Sequence, residues 1–395
     1  MLSFSSGFSG KVNSAAAMQE ALLQADAGSA SVVLIHSTVG HNFAPMLATA
    51  AAACPNGTIV GCTGSGVIHS QGVNESMRAL AVMSIAGPEV ALSFREGVTP
   101  SNGRDLAAQA ARELQGKLSG INAILLYTPF TDAAHDEILA GIDSVFGCDV
   151  PIAGGVAGDN AKFTTSFLFH GQTVSEHGLL MIGLADPSLE LLSIAHHGNH
   201  PVGQPFVVTA AEGNRILELD GEPAWPRVVQ RLGLPAETTP IQAIPLAIFG
   251  IEIDDSARDS YDNSHVLLVP SGTDAARSAI VSAMVPAGTR LHLMQRDEDR
   301  IFAGVDWMLR RLDTMIDGRK IVAVFHADCL ARGRLTFDRV SKDEIIAKLQ
   351  KPLIGDRAVP WLGLYGYGEF CPLAGRNAMH TFTTALFPVV RRRAA

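Results

Sequence analysis

A glycine-broken apolar run, Trp361 to Thr384 (WLGLYGYGEFCPLAGRNAMHTFTT), constrains the fold more than any other stretch of the chain. Glycines at 363, 366 and 368 interrupt a strand-like pattern. Glycine inside a strand marks a bulge or the close approach of a second backbone. The same run then delivers Glu369, Cys371, Arg376 and His380. An acid, a thiol, a guanidinium and an imidazole on a crowded apolar strand read as the wall of a pocket.

At 395 residues the chain is too long for one ordinary core, and two lobes are expected. A hydrophobic content of 47% against 17% charged residues places it among well-buried globular proteins. The net charge of -9 argues against a nucleic-acid footprint, which needs a clustered basic surface. Arg391-Arg392-Arg393 forms the one basic run and reads as a solvated tail. The cysteines, Cys54, Cys62, Cys148, Cys329 and Cys371, are odd in number and lack C-x-x-C spacing. Neither a disulfide framework nor a structural zinc site is expected, and a reducing compartment fits. The start, MLSFSSGFSGKVNSAAAMQ, has no apolar signal core, and no long apolar segment follows, so a cytoplasmic protein is expected.

Helices are predicted over 14–25, 43–53, 106–118 and 132–146, the last capped by Thr131 or Asp132. Between them lie apolar strands at 32–35, 58–62, 78–85, 90–94 and 123–127. Later strands are expected at 166–170, 178–184, 206–209, 246–253, 265–269, 290–294 and 321–327, with helices at 224–232, 301–316 and 342–349. Early helix–strand alternation followed by paired strands predicts an α/β fold of mixed, partly antiparallel sheets with flanking helices, not a parallel Rossmann sheet. The glycines and prolines of HHGNHPVGQP divide domains at 1–195 and 203–395, with 196–202 as a hinge. No internal repeat is detectable in the sequence. No dinucleotide, Walker or H-E-x-x-H motif is present, and Gly61-Cys62-Thr63-Gly64-Ser65-Gly66 lacks the lysine of a phosphate loop.

Four segments resemble the FIST family, a bacterial sensory module of paired N- and C-terminal domains. Val60-Gly61-Cys62-Thr63 with Gly66 is similar to its glycine turn, and Ile152 to Asp159 to its AGG-x-AGD segment. Pro201-Val202-Gly203, Val208-Thr209 and Glu218 to Ala224 resemble the start of its C-terminal domain. Cys329 to Gly333, and Tyr365 to Glu369 with Pro372 and His380, resemble its closing signatures. Thr381 stands where the family usually has asparagine, and Met379 where it has an aromatic residue.

The resemblance implies a two-lobed FIST protein that senses a small molecule. With no room for an output domain, it would signal to a separate protein. The stand-alone form resembles the NosP group, haem b-binding nitric oxide sensors that act on histidine kinases. A sensor of amino acids or other small carboxylates, anchored by the bidentate fork of Arg332, is the alternative. A thiol-dependent hydrolase or lyase built on Cys371 or Cys329 with His326 or His380 and Glu369 is the third reading.

The residues expected at a ligand are Arg332, Glu369, Tyr367, Cys371, Arg376, His380 and Cys329. His380, His326, His196 and His200 are the candidate haem or metal ligands, with His197 completing a histidine cluster in a solvated loop. A buried carboxylate needs a partner, so Glu369 is expected to pair with Arg332 or Arg376. A homodimer is compatible with the exposed edges of a mixed sheet.

Overall fold

A computed structural model describes residues 1–130, 134–333, 339–355 and 357–393. Its sheets are mixed, its helices flank them, and one arrangement of the backbone occurs three times. In the first occurrence, strands Ser3–Ser9, Val32–Ser37, Thr58–Thr63 and Leu80–Ala86 carry helices Ser14–Gln24 and Phe43–Ala53 between them. In the second, strands Val90–Arg95, Ala123–Thr128, Ile152–Val156 and Leu179–Leu184 carry helices Gly103–Lys117 and His135–Phe146. In the third, strands Leu189–Leu191, Ile321–Cys329, Trp361–Gly366 and Thr384–Arg391 carry helices Glu298–Ile316 and Arg339–Ile354. In every unit the strands lie side by side in the order first, last, second, third. The second and third strands of each pair in parallel, and their other partners are antiparallel.

The parallel strands read as continuous apolar runs because both faces are covered. One face of each sheet looks inward, where Leu34, Val60, Leu125, Tyr127, Phe325 and Phe387 meet in a common core. The other face packs under its own helix pair, through Met18 and Leu47 in the first unit, Leu114 and Ile138 in the second, and Met308 and Leu349 in the third. Asn13, Asn42 and Asp297 cap three of these helices, each accepting a backbone N–H of the first turn.

Between the third and fourth strands each unit sends out a short hairpin that joins another unit. Val67–His69 of the first unit pairs with Trp361–Gly366 of the third. Leu168–His170 of the second pairs with Thr58–Thr63 of the first, and Gly368–Leu373 of the third pairs with Ile152–Val156 of the second. The exchange closes in a circle. At the crossings Gly158 N–H donates to Thr63 O (3.0 Å), Ser65 N–H to Tyr365 O (2.7 Å) and Tyr367 N–H to Val156 O (3.0 Å).

This circle explains the glycine motifs. Gly61, Gly154 and Gly363 occupy equivalent positions, opposite Ile35, Leu126 and His326. A Cβ there would lie 2.0, 2.1 and 2.6 Å from the carbonyl oxygen of that opposing residue. Gly61 (φ 157°) and Gly154 (φ 135°) also sit where side chains are rarely tolerated.

A second lobe is inserted between the first strand and first helix of the third unit. It is an antiparallel sheet running from Asn199–Glu212 to Arg290–Arg296, with a core of its own around Phe206, Trp225, Phe249 and Leu291. Its first and last strands pair at Asn199 and Arg296, so it leaves and rejoins the body at one place.

The expected hinge is occupied by the end of Ile194–His196 and the start of Asn199–Glu212, and His196 and His197 are buried rather than solvated. Trp361 to Thr384 is not one interrupted strand. Trp361–Gly366 ends in one sheet, and Gly368–Leu373 and Arg376–His380 form a hairpin in the next. The arginine run is no free tail: Arg391 contacts Ser188 and Asp186, Arg392 donates to Leu189 O, and Arg393 pairs with Asp317. The strand Ser3–Ser9 and helix Asp255–Tyr261 carry no strong local signal and are held by their neighbours. The caps expected at Thr131 or Asp132 fall outside the described residues. No helix among the described residues is long and apolar enough to cross a membrane.

Candidate functional site

The Trp361 to Thr384 segment leads from the core into a mostly apolar cavity between the body and the second lobe. Cavity and open mouth together comprise about 690 Å³ of atom-free space, solvent outside the opening included. Phe130, Phe163, Tyr367 and Phe382 supply aromatic walls from the body, and Ile241, Ile244 and Val269 close it from the second lobe. Tyr367 stacks on Phe163 (4.8 Å between rings, 16° between planes) and meets Phe130 edge-on.

The wall at Phe163 is set by Asp159, the last residue of the Ile152 to Asp159 motif. Its buried carboxylate accepts from the backbone N–H groups of Lys162, Phe163, Thr164 and Thr165 and from the Tyr367 hydroxyl. Burial alone would raise its pKa, but these donors together hold it below the ordinary carboxylate value. The loop wraps tightly enough to place Asn160, Ala161 and Phe163 at positive φ. Ser65, from the first glycine motif, lies against Gly158, where a Cβ would come within 2.8 Å of the Ser65 hydroxyl. Three motifs far apart in sequence therefore meet beside one cavity.

The polar side of the cavity comes from His135, Ser271, Ser282, Cys329 and Thr381. The Thr381 hydroxyl donates to Leu267 O (2.9 Å). His135 is buried at the start of its helix, and its backbone N–H donates to Ser282 O (3.0 Å). Among the described residues, neither its ring nitrogens nor the Ser282 hydroxyl has a hydrogen-bond partner. Burial lowers the imidazole pKa to about 4, against a smaller upward pull from the nearby carbonyl groups of Ser282 and Pro129, so the ring is neutral at physiological pH. Sequence reasoning missed His135, because a lone histidine at a helix start carries no local signal.

Behind Cys329 lies a sealed polar cluster. Arg332 pairs with Asp328 (3.2 Å) and donates to the His197 carbonyl (3.4 Å). Glu369 is fully buried and accepts from Thr383 N–H (3.3 Å), so the arginine pairing expected for it is not formed. Burial first, then the Asp328 charge, push its pKa well above the usual range, while Thr383, Arg332 and Cys329 pull it back. Burial likewise raises both the Cys329 and the Cys371 thiols.

The other expected residues disperse. His380 is engaged at both ring nitrogens, with the Tyr261 hydroxyl (3.1 Å) and with Cys371 O (3.0 Å). His326 bonds the Thr384 hydroxyl (2.9 Å) inside the sheet. His196 lines a separate polar groove, His200 is half-buried beside Asp297 (3.9 Å), and Arg376 is exposed at a different groove. Of the seven residues expected at a ligand, Cys329 and Tyr367 line the apolar cavity. No imidazole–thiol hydrogen bond and no group of metal ligands occurs among the described residues.

The FIST N domain profile matches residues 31–222 and the FIST C domain profile residues 225–372. The uncharacterized protein Rv0628c of Mycobacterium tuberculosis is 24% identical over 346 residues, covering 86% of each chain. The uncharacterized protein Mb0898c of Mycobacterium bovis is 29% identical over 241 residues, 60% of this chain and 59% of its own length. A crystal structure of cyanuric acid hydrolase from A. caulinodans aligns over 100% of both chains at 8% identity with a TM-score of 0.35, a likeness too slight to argue from.

Proposed function

The chain belongs to the FIST family and carries both of its domains, and from that premise we propose a ligand-binding sensor whose cavity lies between the body and the second lobe. FIST domains are generally small-ligand sensory domains. The ligand is compact and largely apolar, with a polar atom for His135 and Ser282. One observation carries this reading: buried polar atoms without partners face an aromatic cavity. Such atoms cost free energy unless something bonds them, and a ligand held by both lobes fixes their relative position. The bound form then passes its signal to a separate protein.

Haem b with nitric oxide sensing and a histidine kinase partner is the second reading. The histidines first expected as its ligands do not fit. His326 and His380 are tied into the sheets by hydrogen bonds, and His196 and His200 lie elsewhere. His135 favours the reading: it is neutral, its ring nitrogens make no well-formed hydrogen bond among the described residues beyond the nearby Ser282 and Pro129 carbonyls, and it lines the aromatic cavity. When bound, the iron would supply the gas-binding position, and His135 would hold it from the protein side.

The carboxylate reading has less support, because Arg332 is already paired with Asp328 behind the wall. The thiol-enzyme reading has less support, because burial raises both thiols and no imidazole–thiol hydrogen bond occurs among the described residues.

Haem titration separates the versions. A Soret shift saturating at one haem per chain and lost in His135→Ala supports the haem version, and no shift removes it. For the cavity itself, thermal shift against a panel of small aromatic heterocycles is read in wild type and in Ala331→Trp, which fills the space. At least one compound should stabilise wild type alone; equal shifts in both proteins, or none in either, overturn the assignment.

A further inference from the structure

A second cavity lies where the helix Glu298–Ile316 meets the second lobe. It is a polar groove of about 1090 Å³ of atom-free space, mouth included. Two glycines permit it. A Cβ at Gly304 would lie 2.0 Å from the His196 ring, and one at Gly198 (φ 73°) would lie 2.5 Å from Ile301. The imidazole therefore packs directly against the helix at Gly304, beside the half-buried indole of Trp307 (6.2 Å between rings, 42° between planes).

The charges of the groove are unevenly matched. Arg258 pairs with Glu252 (2.6 Å) and Asp255 (2.9 Å), and Arg300 lies 3.7 Å from Asp297. Both guanidinium groups thus have carboxylates of their own. Among the described residues Asp262 lies 3.9 Å from the His196 imidazole, and the charges of Arg310 and Arg300 only partly offset its burial, so its carboxyl stays above the ordinary value; Asp259 adds a second carboxylate to the wall. Asn199 is buried on the same wall. Its Nδ2 donates to His197 O (3.3 Å), while its Oδ1 has no hydrogen-bond partner among the described residues.

A partly compensated carboxylate at Asp262, a second carboxylate at Asp259, an unbonded amide oxygen and the indole of Trp307 together recognise positive charge that carries N–H groups. We propose that this groove is a second ligand site, for a small organic cation bearing an amine or a guanidine. It is independent of the apolar cavity: the two share no lining residue.

Agmatine, which carries both groups, is the probe, titrated into the full chain by calorimetry and tryptophan fluorescence. Trp225 and Trp361 are 1% and 0% exposed in other cores, so an emission change reports Trp307. Saturable binding is expected, weakened at least tenfold in Asp262→Asn and in Trp307→Leu. Asn suits the left-handed backbone at 262 (φ 53°), so that variant keeps the wild-type melting temperature. Absence of saturable binding at millimolar agmatine, or equal affinity in both variants, overturns the proposal. So does saturable binding of inorganic phosphate that is lost in Arg300→Ala, which would make the groove an anion site.

Discussion

At the scale of single residues, the interior is notable for neutral titratable groups. His36, His135 and His380 have their pKa values lowered to about 4, and His326 to about 3, chiefly by burial. The unfolded chain binds protons at these positions near pH 6.5, while the folded chain does so only near pH 4. Stability is therefore fully present above pH 6.5 and falls as the pH drops toward 4. The urea midpoint should decrease steadily between pH 7 and pH 5, and a flat profile would refute this. Glu369 works in the opposite sense. Its raised pKa costs stability as pH climbs above the ordinary carboxylate range. Glu369→Gln should be more stable than wild type at pH 8, with the difference vanishing toward pH 4; a difference independent of pH would count against it. Residue types were legible in the sequence here, but partners were not. Glu369 and Cys329 stand out as reactive side chains in apolar strands, yet Arg332 turned to Asp328, four residues away, rather than to Glu369.

At the scale of elements, strands and helices were legible because burial imprints period and apolarity on them; Ala224–Leu232 and Ala123–Thr128 lie within a residue of their expected bounds. The repeat was not. Its three units share backbone order rather than side chains, and the second lobe separates the first strand of the third unit from the rest. The glycine motifs were its visible trace. Gly154→Ala should cost about 3 kcal/mol or more, because the Cβ meets Leu126 O at 2.1 Å on a backbone with φ 135°. Gly116→Ala is the contrast: helical, exposed and with nothing within 4 Å, it should stabilise by about 0.5–1 kcal/mol. Denaturant unfolding of the two variants checks both signs, and a stable Gly154→Ala would contradict the close approach.

At the scale of the molecule, the cavity lies between parts whose sequence neighbours say nothing of each other. Phe130 and His135 come from the second unit, Ile241 and Ser282 from the inserted lobe, and Cys329 and Phe382 from the third unit. Local pattern cannot encode such a meeting, which is why Tyr367 and Cys329 were foreseen and His135 was not. The inserted lobe has its own core and adjacent ends, with Asn199 beside Arg296. Residues 199–296 produced alone should therefore unfold cooperatively in urea and give dispersed amide resonances. A featureless spectrum would show that its core depends on the body.

The circular exchange of hairpins also governs when the body can form during synthesis. The hairpin at Val67–His69 waits for Trp361–Gly366, nearly 300 residues downstream, and at 5–20 residues per second that is roughly 15–60 s of translation. Until then the first unit carries an unsheltered strand pair, and the second lacks the partner that Gly368–Leu373 brings to Ile152–Val156. Nascent chains should therefore expose these unpaired strand edges until Trp361–Gly366 and Gly368–Leu373 have been made, and pulse proteolysis of ribosome-bound chains should cut the Val67–His69 hairpin before that point and spare it after.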